Sequence, residues 1–362
     1  MRVMQVGLGG FGRSWAEVAR DAEGIALTAV VDPVPEARAW ATETIGLPPE
    51  ACFATLGDAL ATTNCDAVLV ITPPETHRAL AEQALAAGRH VLVEKPLATT
   101  LPDAVALVDA AAAAGKHLIV SQNYRFRAPV RAIQGLVADG TIGDLTAVRM
   151  VCRRDTRTLW PPDNFRYAMR HPYLIDMAVH HLDMLRAMTG REVGPLYARS
   201  WPVPDSPYRH DPTLVAVMGL DNGASATVEG SWAAHGEETS WNGVWELTGE
   251  KGRIRWAGGD GDPASGDLTL ERWGEPVEPI APSPLAYPER VGTLQSLRAA
   301  VSAGRPAETS GDDNVHSLAL VLGCVRSIER QDLVDVPALL REARGQAAAE
   351  PEPAAAEAGP AA

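Results

Sequence analysis

A short apolar stretch, Val3, Met4 and Val6, runs into Gly7-Leu8-Gly9-Gly10-Phe11-Gly12, and Arg13 to Asp21 then reads as a helix with Trp15, Val18 and Ala19 on one face. A strand that turns on glycines into a helix leaves few choices of fold. In such a unit Gly7 allows the tight turn, Gly9 lets the backbone approach a pyrophosphate, and Gly12 lets helix pack closely on strand. Phosphate then rests on the free N–H groups of the helix N-terminus. A second apolar run, Ile25 to Val31, ends in Asp32, twenty positions past Gly12. A carboxylate there can accept hydrogen bonds from both adenosine ribose hydroxyls, so Gly7, Gly9, Gly10, Phe11, Gly12 and Asp32 are expected to bind a dinucleotide. The same carboxylate would repel a ribose 2′-phosphate, which favours NAD over NADP.

The alternation continues down the chain. Glu36 to Thr44 reads as a helix, Ala51 to Ala54 as a short strand and Leu56 to Ala61 as a brief helix. Asp66 to Ile71 is a continuous apolar run, the pattern of a parallel strand covered on both faces. Helix (Glu75 to Ala87), strand (His90 to Glu94), helix (Pro102 to Ala114) and strand (His117 to Ser121) follow. Short connections of this kind mean right-handed crossovers and a doubly wound parallel sheet. After about Gln122 the pattern changes. A helix over Ala132 to Ala138 is followed by strands at Leu145 to Arg154, Leu196 to Val203, Leu214 to Leu220, Ser225 to Trp232, Val244 to Thr248, Arg253 to Trp256 and Leu268 to Trp273, several of them alternating as a half-buried antiparallel sheet does. Asp221-Asn222-Gly223 reads as a hairpin turn. The tryptophans concentrated in this half either pack on a sheet face or form a subunit surface. Helices return at Val291 to Ala303 and Asp313 to Arg330, and a Pro/Ala/Glu stretch closes the chain. The division expected is 1–123, a Rossmann domain; 124–345, an α/β domain with a large open, mostly antiparallel sheet that also carries dimer or tetramer contacts; and 346–362, a disordered tail.

Composition narrows the partners. A formal charge of −14 over 362 residues argues against nucleic acid or an anionic membrane surface, both of which need clustered cations. The chain enters its first strand without a basic leader, and no stretch approaches a membrane span, so a cytoplasmic protein with a small-molecule substrate is expected. Cys52, Cys65, Cys152 and Cys324 have no C-x-x-C spacing; no disulfide framework and no metal are expected.

Three loops should meet beyond the strand ends. Thr72-Pro73-Pro74, with His77 behind it, closes over the cofactor from one strand, although His77 also reads as a residue that simply begins its helix. Glu94-Lys95-Pro96 brings a cation beside it from the next. Farther along, Leu174, Met177, Ala178, Leu182 and Leu185 recur at helical spacing, with Asp176 and His180 at i and i+4. A carboxylate beside an imidazole orients a general base; it equally describes a buried pair holding helix to sheet.

Together these segments resemble the Gfo/Idh/MocA oxidoreductases. The resemblance runs from Gly7 to about Pro337 and rests on Gly7-x-Gly9-x-x-Gly12, Thr72-Pro73-Pro74 with His77, Glu94-Lys95-Pro96, and Asp176-x-x-x-His180-x-x-Asp183. It implies a catalytic set of Lys95, Asp176 and His180. It also implies that Asn123-Tyr124-Arg125-Phe126 crosses between domains near the nicotinamide, which makes Asn123 and Arg125, with Trp160, candidate substrate contacts. The chain departs from many relatives at His171-Pro172-Tyr173 and Ala178, where glycines are usual. Arg153, Arg154, Arg157, Arg166 and Arg170 either recognise an acidic sugar or form surface salt bridges. The activity implied is NAD-dependent oxidation of a secondary hydroxyl of a sugar, sugar acid or cyclitol, or reduction of the matching ketone. The alternatives are an elimination or glycosidic cleavage with transiently reduced NAD, and a non-catalytic sugar or NAD sensor on the same scaffold.

Overall fold

In the computed structural model, which describes residues 1–259 and 268–349, two sheets organise the chain. The first contains β1 (Arg2–Val6), β2 (Ala26–Val31), β3 (Cys52–Phe53), β4 (Ala67–Val70), β5 (His90–Val93) and β6 (Leu118–Val120), all parallel, in the order β3-β2-β1-β4-β5-β6. The crossovers are α1 (Gly10–Asp21), α2 (Pro35–Trp40), α3 (Leu56–Thr62), α4 (His77–Ala86) and α5 (Leu101–Ala113). All four residues of β4 are buried, as expected of an apolar strand covered on both faces. Strand order reverses between β1 and β4, which opens a crevice beyond their C-terminal ends. The helix expected over Glu36 to Thr44 is α2 continued by a wider π-helical turn, Ala41–Ile45, that stops at Gly46 with φ 85°.

The second sheet comprises β7 (Leu145–Arg153), β8 (Val193–Arg199), β9 (Thr213–Leu220), β10 (Ser225–Ser231), β11 (Val244–Gly249), β12 (Gly252–Trp256), β13 (Leu268–Arg272) and the edge strands β14 (Glu278–Pro279) and β15 (Val334–Asp335). Its order is β14-β13-β12-β11-β7-β10-β9-β8-β15, antiparallel except where β10 runs parallel to β7. Alternation decides its faces: Leu214, Ala216, Met218 and Leu220 of β9 point inward, while Val215 and Val217 stay exposed. Asn222 and Gly223 make the expected hairpin, Gly223 at φ 86° and the Asn222 side chain accepting from the N–H of Ala224 at 3.1 Å. The strand expected to reach Val203 ends at Arg199, because Pro202 and Pro204 have no N–H for the ladder. Trp232, Trp245 and Trp256 pack inside; Trp201 and Trp273 do not.

Helix α6 (Ala128–Ala138) packs on α7 (Val179–Thr189), whose His181 meets Trp245 of the second sheet, and the chain then doubles back through α8 (Glu289–Ala303), α9 (Gly311–Arg330) and α10 (Val336–Ala349), the last two packing against β8. Leu294 and Leu297 of α8 join Val3, Trp15, Leu69, Leu92 and Ile119 in one cluster against the first sheet. Each such side chain contributes about 1.5–3 kcal/mol by leaving water. Helix α10 was not expected, yet Val336, Leu340 and Ala343, its buried residues, recur at one-helix-face spacing. The tail expected from residue 346 starts inside this helix, and residues 350–362 lie outside the described residues.

Candidate active site

The glycine turn is shaped by contacts that leave no room for side chains. A Cβ on Gly7, at φ 96°, would lie 2.0 Å from the carbonyl of Ile71, and one on Gly12 would lie 2.4 Å from the carbonyl of Gly7. The buried Gln5 amide ties the turn together, donating to the carbonyls of Gly7 at 2.9 Å and Gly12 at 2.6 Å. Gly9 and Gly10 are different. A Cβ on either meets nothing within 4 Å, so their bareness serves the space in front of them rather than the fold. Helix α1 begins there with no side-chain cap, which leaves first-turn N–H groups for an anion. Asp32 closes the far end of the turn, accepting from the N–H of Leu8 at 2.7 Å and of Val34 at 2.9 Å. These features fit a dinucleotide: a bare approach for pyrophosphate and a carboxylate at the ribose end.

All of them line one cleft of about 1880 Å³ that runs between the two sheets. Thr72, Pro73, Glu94 and Lys95 line it from the ends of β4 and β5; Asn123, Tyr124, Arg127, Phe165, Arg166, Asp176 and His180 line it from beyond. Glu94 accepts from Trp15 Nε1 at 2.7 Å and from the N–H of Lys95 at 3.0 Å, so the loop carrying Lys95 is anchored to α1. Lys95 Nζ reaches across the cleft to Asp176, donating to Oδ1 at 2.7 Å and to the backbone carbonyl at 2.8 Å. Arg166 Nε takes the other carboxylate oxygen at 2.6 Å. Burial alone would raise the Asp176 carboxyl; the two cations overcome it and hold the group far below the usual carboxylate range.

The expected Asp176–His180 pairing does not form. Residues 173–178 make a π-helical turn, entered through His171 at φ 48°, before α7 begins at Val179. The extra residue in that turn aims Asp176 at Lys95 and Arg166, away from His180. His180 instead stacks on Tyr124 with centroids 4.2 Å apart, and Arg127 covers Tyr124's ring at 3.4 Å. His180 Nδ1 is buried with no partner among the described residues, which leaves Nε2 for the cleft. Burial pushes this imidazole well below its ordinary value; Lys95, His181 and Arg127 push it further, and Asp176 only partly opposes them. The ring is therefore neutral at physiological pH.

Three expected contacts belong elsewhere. Arg125 is buried and bound to Asp183 through Nε and Nη2 at 2.7 Å each, to Asp313 at 2.6 Å and to the carbonyl of Glu308 at 2.9 Å, so it braces the structure and does not face a substrate. His77 is fully buried, its ring nitrogens 2.9 Å from the Thr72 carbonyl and 2.8 Å from that of Pro96; it links two cofactor-side loops from behind. Trp160 packs on Trp232 and Tyr167, with Arg166 over its ring at 5.0 Å, outside the cleft lining. Two lining residues had no sequence signal of their own. Arg127, stacked on Tyr124, completes the wall behind His180, and Arg290, at the start of α8, sits 5.1 Å over Phe11 with Nη1 buried and unpartnered among the described residues. Of the expected surface arginines, Arg153 and Arg157 pair with Glu229 and Asp155. Among the described residues no cluster of three or more His, Cys, Asp or Glu is placed to hold a metal, the cysteines form no disulfide, and no helix is long and apolar enough to cross a membrane.

Residues 1–122 match the family described as oxidoreductase family, NAD-binding Rossmann fold, and residues 130–255 match the GFO/IDH/MocA C-terminal domain. The chain is 27% identical over 353 residues to a D-apiose dehydrogenase of Rhizobium rhizogenes, covering 92% of this chain and 97% of that one. It is 26% identical to a myo-inositol 2-dehydrogenase of Thermotoga maritima, covering 91% and 97%. Among solved structures, an oxidoreductase from Agrobacterium radiobacter in complex with NAD+, L-tartaric acid and magnesium superposes with a TM-score of 0.82 at 24% identity, covering 94% and 99%.

Proposed function

This chain belongs to the Gfo/Idh/MocA family of oxidoreductases, and from that we propose that it is an NAD-dependent dehydrogenase oxidising a secondary hydroxyl of a sugar, sugar acid or cyclitol. One observation carries the reading: Lys95, held by Asp176, and a neutral His180 line the same cleft as a glycine turn whose Gly9 and Gly10 leave the approach to α1 bare. Relatives named as sugar and inositol dehydrogenases support it. When bound, a nicotinamide accepts or returns the hydride.

The chain's own residues do the rest. His180 Nε2 removes the hydroxyl proton, for which its depressed affinity for protons keeps it in the basic form. Lys95 Nζ, fixed by two bonds to Asp176, stabilises developing negative charge on the alcohol oxygen. Asp176 is already held by two cations and serves to orient Lys95 rather than to move a proton. Asp32 favours NAD, while Arg38, bonded to the carbonyl of Asp32 at 2.6 Å, is the cation a 2′-phosphate would have to use instead. The enzyme acts in the cytoplasm as a homodimer or homotetramer joined through the sheet face that exposes Val215 and Val217. A panel of polyols, aldoses and sugar acids with NAD, read at the reduced-nicotinamide absorbance, tests the activity. On the substrate found, His180→Ala should lower kcat by about 10²- to 10⁴-fold and leave NAD affinity within about threefold. Wild-type turnover by that variant would remove His180 from the mechanism.

A further inference from the structure

We propose that the substrate carries a carboxylate, or an equally charged oxyanion, and that the guanidinium of Arg166 receives it. The dehydrogenase reading enters only in saying where the reacting hydroxyl lies. Among the cations lining the cleft, Arg127 and Arg170 each have a carboxylate of their own. Arg127 holds Glu289 through Nε at 2.9 Å and Nη2 at 2.8 Å. Arg170 holds Glu329 at 2.8 Å. Lys95 and Arg166, however, share the single carboxylate of Asp176. Two cations on one carboxylate leave one positive charge unmatched, in a partly buried place where an uncompensated charge is costly.

That surplus charge is presented by Arg166. Its Nε is committed to Asp176, and its two terminal nitrogens have no hydrogen bond among the described residues. Its plane is held by aromatic rings, with Cζ 4.6 Å from the ring centre of Phe165 and 5.0 Å from that of Trp160. A planar fork fixed along one edge loses little freedom on receiving a second oxyanion, and carboxylate is the geometry it matches. Apolar side chains line the same cleft, among them Phe165, Met169, Ile175 and Leu318. Such a wall suits a C–H face of the substrate. The substrate class is thus a small hydroxy acid, its carboxylate on Arg166, its reacting hydroxyl toward Lys95 and His180, and its apolar edge on that wall.

Matched pairs test this by calorimetric titration into the NAD-loaded enzyme: D-gluconate against D-glucitol, D-glucuronate against D-glucose, and lactate against 1,2-propanediol. In at least one pair the acid should bind about 10- to 100-fold more tightly, the usual worth of charge-assisted bonds, and its affinity should fall as salt is raised. Arg166→Gln should abolish that preference while changing the neutral partner's Kd by less than about threefold; Arg166→Lys, which keeps charge but not the fork, should retain part of it. Circular dichroism and NAD affinity report whether either variant is folded, and the salt dependence of the wild type stands without them. No acid preference in any pair, or equal loss for acid and neutral ligand in both folded variants, overturns the proposal. The two readings fail separately: preference without NAD reduction would sink the dehydrogenase assignment alone, and oxidation of neutral polyols without preference would sink this one alone.

Discussion

Asp183 sits seven residues past Asp176 in the same motif, but its surroundings give it a different task, and Asp183→Asn separates the two. The carboxylate is 1% exposed and accepts three bonds, from Arg125 Nε and Nη2 at 2.7 Å each and from Ser317 Oγ at 2.6 Å. An amide in its place keeps one acceptor and turns a donor toward groups that are themselves donors. Breaking a buried ion pair costs about 3–5 kcal/mol. Arg125 keeps Asp313 at 2.6 Å and the Glu308 carbonyl at 2.9 Å, so the lower figure, about 3 kcal/mol, applies. With about 2.1 cal/mol/K of unfolding entropy per residue, a chain of 362 residues loses roughly 1.3 °C per kcal/mol, so Tm should fall by about 4 °C. The residues that face the cofactor lie on other segments, so NAD affinity should stay within about threefold. Scanning calorimetry and NAD titration of the same preparation supply both numbers. A Tm within 2 °C of wild type, or a lost NAD affinity at unchanged Tm, would refute the bracing role.

Gly9→Val should leave Tm unchanged within about 1 °C while weakening NAD binding at least tenfold, because its side chain would fill only the approach to α1; Gly12→Val, whose side chain would strike the Gly7 carbonyl, should cost about 1–3 kcal/mol of stability as well. The rising limb of the pH profile for oxidation should lie below pH 6.5, since His180 is depressed; a midpoint at or above 7 would show that another group is titrating. Stability should follow the same sign: with His181 and His90 each pushed down to about 4, the unfolded chain binds more protons between that value and 6.5, so Tm falls as pH is lowered through this window. Asp32→Ser should shift the NADP-to-NAD ratio of kcat/KM upward by about tenfold or more, and no change would mean that Asp32 does not meet the ribose.

The sequence carries the first sheet almost residue for residue, because its information is local: apolar runs, glycine at forced positions, proline at stops. Most strands of the second sheet are equally plain from alternation. What it does not carry is the aim of side chains set through space. The turn over 173–178 has helical spacing on paper, but Tyr173 enters the space left by Gly230 on β10, where a Cβ would stand 1.9 Å from its ring, and the chain widens to fit. Asp176 and His180 therefore part company. Arg125 reads as a substrate contact within the crossing segment; its acidic partners, Asp183 and Asp313, are far along the chain and no local pattern joins them. Helix α10 did have a signal, in Val336, Leu340 and Ala343, masked by the alanine-rich composition that follows.

The doubling back of α8 bears on how this protein must be made. Trp15, Leu69, Leu92 and Ile119 belong to the first part of the chain to leave the ribosome, but Leu294 and Leu297, which roof them, emerge near its end, as does Thr309, whose carbonyl completes the edge of β6 at Val120 with a 2.8 Å bond. Vectorial synthesis therefore exposes one face of a nearly complete sheet to solvent for most of translation. A stall anywhere before α8 leaves an adhesive apolar surface in place of a folded half.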